Sequence, residues 1–345
     1  MRLNVYYTAM RPKVYPHVTF IIPTLNEEEN LPRCLAAIYS QQYPKDRVEV
    51  IVADGGSTDR TKAIARSFHA KVIANPDVLH EQGKSRAANI AKGDILFFAD
   101  ADNVLAHTQW ITLMTKPWRD NKNIIGFLPQ TLGAPNSNGL DRYLGNLFTD
   151  PFTWFVYGFR ANPKDYYRVF DIIIATKGYK VFDFSKGDYP LFGLSQGVGT
   201  RSSFHRAMHA YADDLLSGIQ LIREQGLVAY VPDAGVYHYH VSGIINFIKK
   251  YRWRVRNNLK QQIKGMGIVN RIHYFSLQRK LRMYLFVPYG ISIIFPCIDA
   301  VRLSVAHKDA VMFWHVPASF LLSVIIVMET LQHVTHRGIK LGTYE

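Results

Sequence analysis

The chain reads as an α/β fold with a mostly parallel central sheet, followed by basic amphipathic helices and a pair of apolar helices at the C-terminus. Three observations predict this. Short uncharged strand-like runs alternate with helical patterns from Val18 to Phe98, the order that builds a parallel sheet with helical crossovers. Eleven basic residues fall between Lys249 and Arg282, beside an apolar helical face, a pattern suited to a membrane surface. Two late stretches, Met283–Ile298 and Ala310–Met328, contain no Asp, Glu, Lys or Arg, and a membrane span needs about 20 largely apolar residues.

Composition narrows the partners. The 345 residues carry 41 Lys and Arg against 27 Asp and Glu, a formal net charge of +14. So basic a balance calls for an anionic partner: nucleic acid, acidic lipid or a phosphorylated substrate. The two cysteines, Cys34 and Cys297, are far apart and make no disulfide framework. Met1 to Pro16 has no apolar core of signal-peptide length, so the front of the chain is expected in the cytoplasm.

The first strand is Val18 to Ile22, ended by Pro23. Thr24 or Asn26 then caps a helix whose apolar face is Leu31, Cys34, Leu35 and Ile38. A second strand, Val48 to Ala53, ends on Asp54, and Gly55-Gly56-Ser57-Thr58-Asp59 turns the chain into an Ala/Ile helix from Arg60 to Phe68. Lys71 to Ala74 is a third strand. Gly83 to Asn89 opens another helix, which carries Lys84 and Arg86 and closes near Gly93. A fourth strand, Ile95 to Phe98, leads to Asp100, Ala101 and Asp102.

Ligands of open α/β sheets bind outside the carboxyl ends of the strands. Alternation sends Asp100 and Asp102 to one side of the extended chain and Ala101 to the other. Two converging carboxylates repel unless a cation lies between them, and Mg2+ or Mn2+ prefers such oxygen ligands, shared with substrate phosphates. A solvated Asp-x-Asp turn is the other reading. Asp54 suits a nucleobase or ribose, or a plain turn. Lys84 and Arg86 suit a diphosphate, or a solvated helix face.

Pro23-Thr24-Leu25-Asn26-Glu27, Val52-Ala53-Asp54-Gly55-Gly56-Ser57-Thr58-Asp59 and Asp100-Ala101-Asp102 together resemble the signature of family 2 glycosyltransferases, inverting enzymes of the GT-A fold that use nucleotide sugars. The resemblance implies that Pro23, Leu25 and Glu27 line the nucleotide pocket, that Asp54 holds the base, that Asp100 contacts the nucleotide and that Asp102 binds the metal. Ala101 and Arg201, the latter at the end of a glycine-rich stretch from Gly193 whose glycines suggest close backbone approach to a ligand, join the nucleotide-sugar set. The acidic pair Asp213-Asp214 stands where the family keeps its catalytic base. A helix from Leu216 to Gln225 follows, then a strand, Val228 to Val231, stopped by Pro232. The helix is one residue longer than the commonest spacing, so both acids stay candidates, with Asp214 favoured. A positioned carboxylate can take the proton of an attacking hydroxyl. His238 and His240 share a face of the next segment, and His238 is a candidate to complete the Asp102 metal site.

Arg252 and Trp253 fit the Q-x-x-R-W box of polysaccharide-making relatives, but Lys249 stands at the Gln position. By resemblance Arg252 and Trp253 lie near the diphosphate. Residues 121–195 are rich in aromatics interleaved with Arg142, Arg160, Lys164 and Arg168. They suit an acceptor-side insertion at about 130–192, an interfacial helix, a single-strand nucleic-acid platform or an ordinary core.

The division expected is a GT-A domain over 1–240, interfacial helices over 241–282, and two transmembrane or re-entrant helices with a tail over 283–345. Charge flanking puts the catalytic domain on the cytoplasmic side of a multi-pass cell-membrane protein. The activity expected is transfer from a nucleotide diphosphate sugar to a polyprenyl phosphate or lipid-linked glycan, with Mg2+ or Mn2+, at an anionic lipid surface and without nucleic acid. A processive polysaccharide synthase and a non-catalytic lipid- or nucleic-acid-binding protein are the alternatives.

Overall fold

The structure is a computed structural model that describes residues 14–185, 189–204, 214–224, 226–239, 243–260 and 268–335. The chain opens as β1 (Val18–Thr24), α1 (Leu31–Tyr39), β2 (Val48–Asp54), α2 (Thr61–Ser67), β3 (Lys71–Ala74), α3 (His80–Ile90) and β4 (Ile95–Phe98). These four strands pair in parallel, with β1 between β2 and β4 and β3 outside β2. Every residue of β1 is buried, as expected of a strand covered on both faces. Val18, Phe20 and Ile22 join the core formed with Leu31, Cys34, Leu35 and Ile38 of α1. Ile21 points the other way, to the core shared with Ile51, Ala53, Leu96 and Phe98. The two-residue period of the strand thus feeds two hydrophobic layers.

Past β4 the sheet departs from the parallel expectation. The chain continues through β5 (Asn103–Leu105), α4 (Trp110–Met114), α5 (Lys116–Asp120), β6 (Ile124–Gly133), α6 (Gly139–Leu147), α7 (Pro151–Tyr157), β7 (Ile172–Ala175), β8 (Lys180–Phe182), β9 (Val198–Arg201), α8 (Asp214–Arg223) and β10 (Leu227–His238). The ten-stranded sheet has the order β3-β2-β1-β4-β9-β6-β10-β8-β7, with β5 also on β10. β9 lies antiparallel between β4 and β6, and β5 and β8 lie antiparallel to β10, so the sheet is mixed. Gly199 makes the β9 insertion possible. A Cβ there would come within 2.6 Å of the Phe97 ring and 3.3 Å of Phe127. The close approach expected of this glycine-rich stretch therefore includes neighbouring core rings, as is typical of glycine inside a strand. Pro232 does not end β10. The strand slips register between Val231 and Gly235 and runs on to His238, because a bulge accommodates a residue with no N–H to give.

The aromatic stretch is a packing surface. Tyr143, Leu144 and Leu147 of α6 form a buried cluster with Phe247 and Tyr251 of α9 (Ile244–Lys260). After α10 (Ile268–Arg271), the same cluster takes Phe286 and Tyr289 of α11 (Leu277–Ser292), Leu303 of α12 (Ile294–His307), and Leu322 and Ile325 of α13 (His315–Val334). Phe152 meets Phe286 edge-on at 5.2 Å, and Phe155 lies 4.2 Å from Tyr289. Tyr166 is surrounded by Phe170, Phe182 and Phe184.

The first of the two expected transmembrane or re-entrant segments is not one continuous helix. Met283–Ile298 is broken at Ile293, where φ is +58°, and α11 and α12 are bent by 95°. One helix among the described residues, Ala310–Val334 with its first 3-10 turn, is long and apolar enough to cross a membrane.

Candidate active site

The carboxyl ends of β1, β2 and β4 lie side by side, Thr24 opposite Asp54 and Ile21 opposite Phe98. Asp54 is buried, and its Oδ2 accepts from the N–H groups of Gly56 (3.1 Å) and Ser57 (3.0 Å), while Thr24 Oγ1 lies 3.4 Å from Oδ1. One oxygen thus closes the turn and the other has only a long contact. Two loops lock together here. Asn26 N–H donates to Ser57 Oγ, Asn26 Oδ1 accepts from Thr58 N–H, and Glu27 N–H donates to Thr61 Oγ1. Pro23 is buried and Leu25 exposed beside them. Glu27 accepts from Asn30 Nδ2 at 2.9 Å. Its carboxyl is raised to about 7, by burial first and then by Asp102, Asp100 and Asp59.

The turn after β4 is organised by Asn103, a buried residue whose signal in the sequence is only its place beside two aspartates. Asn103 Oδ1 accepts from Asp100 N–H, and its Nδ2 donates to Asp102 Oδ1, both at 2.9 Å. Ala101 is buried between them. The pairing of β5 with β10 sets His238 opposite Asn103 and brings His238 Nε2 to 3.2 Å from Asp102 Oδ2. Burial alone would raise Asp102. The charge and hydrogen bond of His238, with Lys250 and His80, overcome it and hold the carboxyl below its usual range.

Lys84 is buried, with Nζ 3.0 Å from Glu81 Oε1 and 3.5 Å from Asp100 Oδ1. It faces carboxylates rather than open solvent. Asp100 Oδ1 is buried and accepts no hydrogen bond among the described residues. Asp214 begins α8, and its Oδ2 accepts from Ser195 Oγ at 3.0 Å. Gly193 permits this, since a Cβ there would stand 2.6 Å from the same oxygen. His80, at the start of α3, is exposed. Its pKa is lowered, and of the neighbouring charges Asp100, Asp102 and Asp214 act against that lowering while Lys84 adds to it. The ammonium of Lys250 on α9 is lowered to about 8 by burial and Arg254, against the charges of Asp102, Asp141 and Asp150. Asn103 and His80 were not selected from the sequence, because a lone polar residue at a helix or turn carries no periodic signal, and Lys250 read only as one of the basic run from Lys249 to Arg282.

Other candidates lie elsewhere. Arg201 pairs with Ile95, at the far end of β4 from Asp100, and its guanidinium donates to the carbonyls of Ile124, Trp118 and Asn121. Arg86 forms a half-exposed ion pair with Asp77, Nη2 2.6 Å from Oδ2. Arg252 is held by Glu329 at 2.6 Å, and Trp253 is half-buried on α9. Asp213 and His240 lie outside the described residues.

The donor set suits a hard divalent cation shared with a diphosphate. No three His, Cys, Asp or Glu side chains among the described residues close into a cage. Asp102 and Asp100, whose Oδ1 has the Lys84 ammonium at 3.5 Å and no hydrogen bond among the described residues, offer the one or two carboxylates such an ion takes from protein when phosphates supply the rest.

Residues 19–187 match the family model described as Glycosyl transferase family 2. This segment belongs to that family. Glycosyltransferase AglE of Haloferax volcanii is 45% identical over 103 residues, 28% of this chain and 33% of that protein. The dolichyl N-acetyl-alpha-D-glucosaminyl phosphate 3-beta-D-2,3-diacetamido-2,3-dideoxy-beta-D-glucuronosyltransferase of Methanococcus voltae is 39% identical over 54 residues, 16% of this chain and 17% of that one. The chain thus matches a third or less of these relatives' own lengths. The mannosyltransferase PcManGT of Pyrobaculum calidifontis, solved with GDP-Man and Mn2+, shares the fold at a TM-score of 0.51 and 14% identity, over 95% of this chain and 89% of that one. The fold is thus GT-A in type, with a mixed sheet.

Proposed function

We propose that the chain transfers a sugar from a nucleoside-diphosphate sugar to a lipid-linked acceptor, a polyprenyl phosphate or a lipid-linked glycan, with inversion at the anomeric carbon. The observation that carries this reading is that Asp100 and Asp102 follow the end of β4, with His238 3.2 Å from Asp102, while the loop whose Ser195 donates to Asp214 is tied to the same strand end by Gly197 N–H to the Phe98 carbonyl at 2.8 Å, where open α/β sheets bind ligands. The nucleotide lies along the ends of β1 and β2, with Asp54 Oδ1 toward the base and Pro23, Leu25 and Glu27 beside it. Asp102, assisted by Asp100 and steadied by His238, holds Mg2+ or Mn2+. When bound, that ion offsets the negative charge that grows on the departing diphosphate. Lys84 balances the carboxylates from beneath.

Asp214 is the base. Its Oδ2 is aimed by the Ser195 hydroxyl and takes the proton of an acceptor hydroxyl attacking opposite the diphosphate. A phosphate acceptor is already ionised and needs only positioning. The lipid-linked acceptor is supported by the apolar, basic character of α9 to α13 and by what the Methanococcus voltae relative is named for. The domain scheme follows: a catalytic unit to about 240, then the helices that carry it to the acceptor. With Arg252 engaged by Glu329, the arginine that favoured a processive synthase has another partner.

The test is transfer of labelled sugar by the purified chain. Nucleotide sugars are screened with Mn2+ against polyprenyl phosphate and against a lipid-linked disaccharide. A lipid-extractable, metal-dependent product supports the reading. Transfer only to water-soluble acceptors would overturn the acceptor class.

A further inference from the structure

The outer surface of the C-terminal helices is apolar where a water-exposed surface would be polar. On α11 the exposed residues Leu277, Leu281, Tyr284 and Ile291 recur at helical spacing. On α12, Ile294, Ile298, Val301 and Val305 do the same. The opposite faces, with Phe286, Tyr289, Ala300 and Leu303, are buried against the protein. Helices apolar on both faces and buried on only one leave a patch that needs an apolar neighbour. Lys280 and Lys308 interleave with the exposed residues, while Arg302 pairs with Asp299 at 3.2 Å, and the chain's net charge is +14. Charge and apolarity together fit an anionic lipid surface.

Geometry decides how that surface is met. α11 and α12 have 16 and 14 residues, ~24 and ~21 Å at 1.5 Å per residue, and the bend between them is 95°. Neither reaches across a hydrocarbon core of about 30 Å. α13 is long enough alone, but polar elements of the protein clasp it at both ends. His315 accepts or donates at 2.8 Å to Tyr143 of α6 and to Tyr289 of α11. Fourteen residues on, buried Glu329 binds Arg252 at 2.6 Å and Arg256 at 2.5 Å. Those arginines belong to α9, which has six Lys and Arg among its 17 residues. A bilayer around α13 would have to engulf that basic helix as well, which lipid disfavours.

We infer that α11, α12 and α13 seat the chain on one leaflet of an anionic membrane, with the α11–α12 elbow at Ile293 entering the acyl boundary and no helix crossing. The inference rests on this outer surface and not on the transfer chemistry, so its failure would leave the proposed reaction untouched.

Cys297 supplies the probe, because it is exposed on α12 while the only other cysteine, Cys34, is buried. The full chain is spin-labelled at Cys297 and added to preformed vesicles of phosphatidylcholine and phosphatidylglycerol. Depth is read by competition between oxygen and a water-soluble nickel chelate. The expected label depth is about 5–10 Å below the headgroups. The double variant Ile294→Asp, Phe295→Asp, checked for an unchanged circular dichroism spectrum, should lose at least tenfold in vesicle partitioning. In a Cys297→Ser background, Thr335→Cys should react fully with a membrane-impermeant maleimide outside the vesicles. A water-exposed label on vesicle-bound protein, a Thr335→Cys thiol protected until detergent is added, or a chain that dimerises through this face instead of binding vesicles would each overturn the inference.

Discussion

His238 Nε2 and Asp102 Oδ2 stand 3.2 Å apart, although 136 positions separate the two residues in the chain. The antiparallel pairing of β5 with β10 creates this contact, joining the metal-binding candidate at the end of β4 to the last strand of the sheet. An imidazole so placed orients the carboxylate or shares its cation. His238→Ala should weaken Mn2+ affinity roughly 10–100-fold, the usual cost of losing a group that orients a ligand. Calorimetric titration of Mn2+ in the presence of a nucleoside diphosphate measures it.

Asp214→Asn keeps the shape at the start of α8 and the contact to Ser195 while removing the basic oxygen. With a hydroxyl acceptor, turnover should fall about 10²–10⁴-fold, the range of a lost general base. Donor-sugar affinity should be nearly unchanged. Single-turnover kinetics beside a binding titration separates the two, and equal loss in both would assign Asp214 to donor binding.

Glu27 gives the unliganded chain a pH dependence. Its folded pKa is about 7 against an ordinary 4.5, because burial and the carboxylates of Asp102, Asp100 and Asp59 disfavour the charge. A raised acid contributes stability below its unfolded pKa, and that contribution is lost as pH rises through the folded value. Between about pH 4.5 and 7, wild type should therefore lose on the order of 2 kcal/mol that Glu27→Gln does not lose. Thermal melts of both proteins across this window, without metal, are the check.

Glu329 joins α13 to α9 through two arginines and is itself 3% exposed. Glu329→Ala leaves both guanidinium groups without that partner beside an apolar helix. A loss of about 2 kcal/mol is expected, below the full cost of breaking a buried pair because the arginines keep some solvent. Chemical denaturation reads the change.

The first four strands were legible from residues alone, because each is a short apolar run between helical patterns. Lys71–Ala74 and Ile95–Phe98 have the same limits in the structure as in the sequence. β5, β8 and β9 are three or four residues long, and only their distant partners make them strands, so no local pattern announces them. Gly199 read as a place for close approach to a ligand, yet its neighbours are Phe97 and Phe127. Arg201 read as a nucleotide-sugar-binding residue, while three backbone carbonyls more than 75 positions away take its guanidinium. Acidic residues at strand ends are visible in a sequence. The residues that aim them, Asn103 and Ser195, become visible only when the loops are folded.

The central claim is that Asp102 leads a carboxylate set binding a divalent cation together with a nucleoside diphosphate. The most direct measurement is the shift in melting temperature on adding Mn2+ with UDP or GDP, for wild type and for Asp102→Asn, since a ligand that binds only the native state raises apparent stability. The account predicts a saturable shift in wild type that needs metal and nucleotide together and is lost in Asp102→Asn. An equal shift in both proteins, or a nucleotide shift indifferent to chelation, would contradict it.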